Sequence, residues 1–103
     1  MFQVGDFVEY TMVTDTRVYE VVSTTEKTMT VRLTSEGEVV KRENRDGNPY
    51  PCVYTAQVSD PNAPTQVIRL RKDGTYRVHQ SARPLRAATM IDGVPVRYTD
   101  YRY

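Results

Sequence analysis

The most constraining feature of the sequence is a pair of alternating apolar and polar runs, 67–71 and 75–79, that flank Asp73-Gly74. An Asp-Gly pair between two such runs is the strongest short-range signal for a hairpin of antiparallel strands. Because each run alternates with a period of two, we expect one strand on either side of the turn. This part of the chain is therefore predicted to be a β-hairpin.

The register of this hairpin follows from the loop that keeps one face apolar. A loop of three residues, 72–74, places Leu70 opposite Tyr76, and Ile68 then lies opposite Val78. A loop of two residues would mix apolar and charged side chains on both faces. The three-residue loop is preferred, and it places its glycine in the left-handed conformation that other residues adopt only at a cost.

The opposite face of the predicted hairpin is cationic: it carries Arg69 opposite Arg77 and Arg71 opposite Thr75, with His79 near one end. Like charges directly opposite each other are destabilising unless something negative lies between them. Two interpretations are open. The face is either an ordinary solvated surface with Asp or Glu from a neighbouring strand between the arginines, or a surface that binds an anion or an acidic partner.

Composition favours strands throughout the chain. Thirteen threonines and eight tyrosines in 103 residues, with few Ala and Leu, favour β-structure, and no window has an apolar stripe at helical spacing. This length predicts one domain, 1–103. The irregular stretch 42–51 is an alternative hinge between 1–45 and 52–103, but each part alone is too small to bury a comfortable core.

The predicted fold class is all-β, a small barrel or two-sheet antiparallel roll of six to eight short strands. Hairpins are expected at 35–37, 72–74 and 92–93, and Pro95 predicts an edge position for the last strand because it lacks an N–H. The predicted apolar face comprises Val8, Tyr10, Val21, Met29, Val31, Leu33, Val53, Ile68, Leu70, Tyr76 and Val78.

Catalysis finds little support in the sequence. His79 and Cys52 are the single histidine and the single cysteine, and such a pair lacks the third group that usually orients it. There is no metal-ligand spacing, phosphate-binding glycine loop or nucleophile elbow. We therefore expect a protein that is not an enzyme and uses no cofactor. Without a membrane-length apolar run, a leader sequence or paired cysteines, we expect a cytoplasmic location.

Charge is unevenly distributed along the chain. Residues 1–66 contain six Lys and Arg against ten Asp and Glu, whereas residues 67–103 contain eight against three, and seven of those eight are arginine. Arginine suits bidentate contacts with carboxylate or phosphate. The candidate partner-binding residues are Arg69, Arg71, Arg77, His79, Arg83, Arg86, Arg97, Tyr98 and Tyr101. The terminal Arg and Tyr residues also fit a plain last strand, a protein interface or a nucleic-acid surface.

The N-terminal residues resemble the opening strands of SH3-like barrels, including KOW and Tudor-type modules. The residues that carry this resemblance are Val4-Gly5-Asp6-Phe7-Val8, Val18-Tyr19-Glu20-Val21-Val22 and Thr28-Met29-Thr30-Val31-Arg32-Leu33. It covers about the first 45 residues. It implies a small barrel of the kind that binds proteins, RNA or modified peptides.

A second resemblance spans most of the chain. The run 69–77, Pro84-Leu85-Arg86 and the terminal tyrosines around Asp100 are similar to small accessory proteins of actinobacterial phages. It implies a protein that acts in the host cytoplasm on a host factor with an acidic surface. Nucleic acid bound through the same basic face, or a small anion, is the alternative. Salt dependence separates the first two, because nucleic-acid binding weakens steeply with salt.

Overall fold

The computed structural model of the chain describes residues 2–12, 15–43 and 52–100. Nine strands lie within these residues: β1 (Phe7–Thr11), β2 (Thr16–Thr24), β3 (Thr28–Leu33), β4 (Ser35–Glu43), β5 (Cys52–Val58), β6 (Thr65–Arg69), β7 (Arg86–Ala87), β8 (Met90–Ile91) and β9 (Val94–Asp100). The all-β prediction is confirmed, with more strands than the six to eight expected. No helix in the described part of the chain has the length and apolarity needed to cross a membrane.

The strands form two antiparallel sheets. The first has the order β6-β3-β2-β1-β7, and the second has the order β4-β5-β9-β8. In the first sheet, β3 alternates between buried Met29 and Val31 and half-buried threonines, so one face covers the core and the other faces solvent. The N-terminal strands are thus built on the period-two pattern that the sequence predicts.

The hairpin expected at 35–37 is wrong. These residues begin β4, which pairs with β5, whereas β3 pairs with β2 and β6. The chain passes from the first sheet to the second at Thr34, which ties the sheets together by donating from its hydroxyl to Val18 O at 2.9 Å and to Gln57 Oε1 at 2.8 Å. Gly37 lies in a register shift of β4, where a bulge inserts an extra residue.

The hairpin at 92–93 is confirmed. Ile91 pairs with Val94, and Asp92 and Gly93 have φ values of 52° and 78°, the left-handed values of a type I′ turn. The edge position expected from Pro95 is wrong, since β9 lies between β5 and β8. The ladder tolerates Pro95 because Pro95 lies one residue before the pairing with β5 begins at Val96, so the missing N–H has no partner in that ladder.

The core contains most of the predicted apolar face. One buried cluster contains six of the predicted residues: Val8, Tyr10, Val21, Met29, Val31 and Ile68. Tyr76 and Val78 are partly buried and pack against this cluster. Leu70 is half-buried, and Val53 is buried in the second sheet. Leu33 is wrong: at 40% exposure it sits where the chain leaves the first sheet. The prediction missed Tyr19, Ala82 and Leu85, which complete the same cluster.

Candidate functional site

The Asp73-Gly74 turn forms as predicted, but the hairpin does not continue beyond it. Arg71 donates its N–H to Thr75 O at 2.9 Å, and Gly74 has the expected positive φ of 83°. Residues 75–79 form no strand, and β6 pairs with β3 instead. The predicted hairpin is therefore right for Arg71 and Thr75, which are hydrogen-bonded beside the turn. The next predicted pair, Leu70 with Tyr76, is wrong.

The return segment 75–79 leaves β6 because it bonds to the next part of the chain. Tyr76 O accepts a hydrogen bond from Leu85 N at 2.8 Å, and both Ala82 and Leu85 are buried in the core cluster. Burying Tyr76 and Val78 against these residues removes apolar area from water, which a two-stranded ribbon alone would not do. The segment diverges from β6 and a groove opens between them.

This groove, the β6 groove, has a volume of about 670 Å³. Four of its ten lining residues are apolar and the other six are polar or charged, and a mixture of this kind is common in binding sites. The lining residues are Gln66, Val67, Ile68, Arg69, Leu70, Arg71, Lys72, Asp73, Arg77 and Val78. Three of the nine predicted site residues thus lie around one concavity.

Three cations at the groove are available to a ligand. Arg69 and Lys72 are exposed and make no side-chain hydrogen bond or ion pair with any residue that the structure describes. Within the described part of the chain, the Arg71 side chain has one hydrogen bond, a long one of 3.4 Å from Nη2 to His79 O. Arginine and lysine with unsatisfied donors favour carboxylate or phosphate ligands.

Asp73 is the acidic residue among those that line the groove, and it belongs to the turn. Its Oδ1 accepts hydrogen bonds from the Thr75 hydroxyl at 2.6 Å and the Thr75 N–H at 3.0 Å. These hydrogen bonds, helped by the charges of Arg77 and Arg71, hold the pKa of the Asp73 carboxyl below its usual value. Asp73 is therefore ionised at neutral pH and its charge is partly offset locally.

Arg77 serves the fold more than a ligand. Its Nη1 donates to Ala82 O at 2.8 Å, its Nη2 lies 3.8 Å from Asp73 Oδ2, and its side chain is 26% exposed. The predicted arrangement, with Arg69 and Arg77 both directed to solvent, is wrong because Arg77 ties the return segment to residue 82. Its removal would loosen the wall of the groove.

His79 and Arg83 line a second, smaller hollow. This hollow has a volume of about 280 Å³. It is also lined by Tyr10, which belongs to the core cluster, and by Met12, which packs against that cluster. The His79 ring meets the Tyr10 ring edge-on, with centroids 6.2 Å apart. His79 and Arg83 are both exposed, but they line this hollow and not the β6 groove.

Three further predicted residues, Arg86, Arg97 and Tyr98, lie elsewhere and have partners inside the protein. Arg86 is paired with Glu9 at 2.9 Å. In the second sheet, Arg97 lies beside Asp15 and Glu36 and donates to Thr16 O, and the Tyr98 hydroxyl donates to Cys52 Sγ at 3.1 Å. Tyr101 lies outside the described residues. The structure therefore divides the predicted surface and does not form one continuous face.

The sequence prediction missed Gln66, Val67 and Lys72, which also line the groove. The sequence pattern predicts Lys72 only as a loop residue, although its positive charge also suits the groove. The role of Gln66 was not predictable, because its amide reaches Val78 O at 2.6 Å across a gap that the hairpin model does not contain. Within the described residues no group of His, Cys, Asp and Glu is suited to hold a metal ion.

No protein-family model matches the chain, and neither a curated protein nor a solved structure is significantly similar to it. The resemblances to SH3-like barrels and to phage accessory proteins remain predictions. Any functional assignment has to be argued from the β6 groove itself.

Proposed function

We propose that this protein is a non-enzymatic interaction module that binds an acidic segment of a partner protein in the β6 groove. The observation that carries the proposal is the set of Arg69, Arg71 and Lys72, three cations around one groove that are weakly held or have no side-chain partner among the described residues. These cations attract carboxylates, and the apolar residues in the lining, such as Val67 and Leu70, add affinity through burial.

A protein partner is preferred to nucleic acid because none of the described residues that line the groove is aromatic. Proteins that bind single strands combine cationic grooves with aromatic rings on which bases stack. The aromatic residues near the groove belong to other surroundings: Tyr76 packs against the core and against Phe2, and Tyr10 lines the second hollow. The aliphatic residues in the lining, such as Val67 and Leu70, suit aliphatic side chains of a peptide better than bases.

The test compares acidic peptide and nucleic acid on the same variants. Fluorescein-labelled hexaglutamate, a labelled thymidylate 20-mer and a labelled 20-base-pair duplex are titrated with the protein, and anisotropy is read at two salt concentrations. We expect hexaglutamate to bind and the Arg69→Glu/Arg71→Glu variant to weaken it at least about tenfold, ~1.4 kcal/mol. The variant should keep its circular dichroism spectrum, since neither side chain is buried.

Arg42→Glu provides the control, matched in charge to the single variant Arg69→Glu, which is titrated beside it. Arg42 is an exposed arginine on β4 in the other sheet, so it reports general charge without touching the groove. Equal weakening by Arg42→Glu and Arg69→Glu, or the absence of hexaglutamate binding, contradicts the proposal. Tighter binding of either nucleic acid, with a steep salt dependence and loss in the double variant, assigns the groove to nucleic acid instead.

A further inference from the structure

The free edge of β6 directs backbone donors and acceptors into the groove. Leu70 donates its N–H to Lys27 O at 2.7 Å, which continues the antiparallel ladder between β6 and β3. Residues that bond across such a ladder alternate with residues whose groups point the other way. Counting back from Leu70, the N–H and C=O groups of Val67 and Arg69 point away from β3 and toward the groove.

β6 differs from the other sheet edges of the described residues. β4 has two register shifts, and β7 and β8 have two residues each. Bulges and short length are devices by which proteins prevent further strand pairing. β6 pairs with β3 over five consecutive residues without a shift, and its Val67 is 66% exposed. A regular edge with an exposed apolar side chain is a template for another strand.

From Ile68 to Arg71 the side chains alternate in chemistry as well as direction, while the exposed Val67 shares the face of the arginines. Arg69 and Arg71 lie on one face of this extended segment, and Ile68 and Leu70 lie on the other face. The span from Val67 to Leu70 is about 10 Å at ~3.3 Å per residue. The Gln66–Val78 hydrogen bond limits the groove at one end, and the Arg71–Thr75 bond limits it at the other.

We propose that the acidic partner binds as an extended strand added to β6, with its backbone paired to Val67 and Arg69. Its acidic side chains lie on the face of Arg69 and Arg71, and the intervening apolar side chains lie on the face of Leu70. This inference rests on the proposed function and specifies how the partner is held. Main-chain hydrogen bonds supply affinity in this mode, and the alternate side chains supply specificity.

The first test changes only the backbone of the ligand. The probe is fluorescein-labelled Glu-Val-Glu-Val-Glu with an amidated C-terminus, in three forms: unmodified, N-methylated at the glutamates, and N-methylated at the valines. All three forms carry the same charge. In an added strand, the glutamate N–H groups point to one side and the valine N–H groups to the other.

One methylated form should lose at least tenfold in affinity, and the other should stay within about threefold of the unmodified peptide. Loss with N-methyl glutamate indicates antiparallel addition, because residues opposite Val67 and Arg69 then share the face of the arginines. Loss with N-methyl valine indicates parallel addition. Equal affinity of both forms, or equal loss, overturns the inference.

The second test changes the protein. Val67→Pro removes a donor that points away from β3, a position where a strand tolerates proline, whereas Val67→Ala keeps the donor and removes the side chain. We expect Val67→Pro to weaken the unmodified peptide at least tenfold and Val67→Ala to weaken it less. Thermal unfolding checks that both variants fold. If Val67→Pro does not fold, the methylated peptides still test the wild-type protein.

The two proposals fail in different ways. If the unmodified peptide binds and Arg69→Glu/Arg71→Glu weakens it, but neither methylation pattern matters, the groove binds acidic ligands without strand addition. The proposed function then stands and this inference is wrong. If neither this peptide nor hexaglutamate binds the wild-type protein, both proposals are wrong.

Discussion

The guanidinium of Arg86 lies against the fully buried carboxylate of Glu9, with Arg86 Nη2 and Glu9 Oε2 2.9 Å apart. The second carboxylate oxygen accepts the N–H of Thr89 at 2.7 Å, and Arg86 also donates to Thr11 Oγ1 at 3.2 Å. A buried charge persists only where such partners satisfy it. This pair attaches β7 to β1 and holds the C-terminal segment against the first sheet.

Replacing Arg86 should leave the Glu9 carboxylate buried without its cation. We expect Arg86→Met to lower the free energy of unfolding by about 2 to 3 kcal/mol, less than for a fully buried pair because water reaches Arg86. Urea denaturation measures the loss, and Glu9→Met in the same chain should recover part of it. The control is Lys41→Met, which breaks the exposed pair with Glu43 and should cost under about 1 kcal/mol.

Substitution by methionine should lower the stability of the fold at Arg77 and leave it almost unchanged at Arg69. Arg77→Met removes the charged donor to Ala82 O and should destabilise the fold by about 1 to 2 kcal/mol. Arg69→Met removes a side chain without a partner among the described residues and should change stability by less than about 0.5 kcal/mol. Thermal and urea unfolding of the two variants distinguish them. Equal losses would show that the arginines of the groove are not divided between structure and binding.

Position 74 needs a residue that adopts a positive φ, but it has room for a side chain. Its φ is 83°, and a Cβ built at this position meets no atom within 4 Å. Gly74→Ala should therefore cost about 1 to 2 kcal/mol from the left-handed backbone alone. Gly74→Asn should cost less, because asparagine tolerates that conformation better than alanine. If alanine and asparagine were equally costly in urea denaturation, a contact of the turn rather than its φ would control stability.

The Asp73 turn should weaken at acidic pH. Because its hydrogen bonds to Thr75 depress the folded-state pKa, the ionised carboxylate stabilises the folded state at neutral pH. This contribution is lost as pH falls below the usual aspartate pKa, about 3.9, and through the lower folded value. Thr75→Val should raise the Asp73 pKa toward its usual value, as measured by a carboxyl ¹³C NMR titration.

Lys72→Ala provides the control for this titration, since Lys72 forms no hydrogen bond to the carboxylate among the described residues. The Asp73 pKa should shift less in Lys72→Ala than in Thr75→Val. The opposite ranking would mean that neighbouring charge, and not the Thr75 hydrogen bonds, sets the ionisation of Asp73.

The sequence by itself determined the class of fold and two of its turns. Alternation with a period of two predicts strands. The Asp-Gly pairs predict the turns at 72–74 and 92–93, because glycine readily adopts the positive φ that such turns require and a turn depends only on neighbouring residues. The same alternation identified most of the buried side chains, including Met29, Val31 and Ile68.

Only the tertiary structure decided which strands pair and which arginines are available. β6 pairs with β3 from far along the sequence, and Tyr76 bonds to Leu85 rather than to Leu70, because burying the return segment against the core outweighs continuing a local hairpin. The same packing turns Arg77 inward and pairs Arg86 with Glu9, while Arg69 stays at the open groove. Local sequence does not encode these choices, since each depends on residues that only the fold brings together.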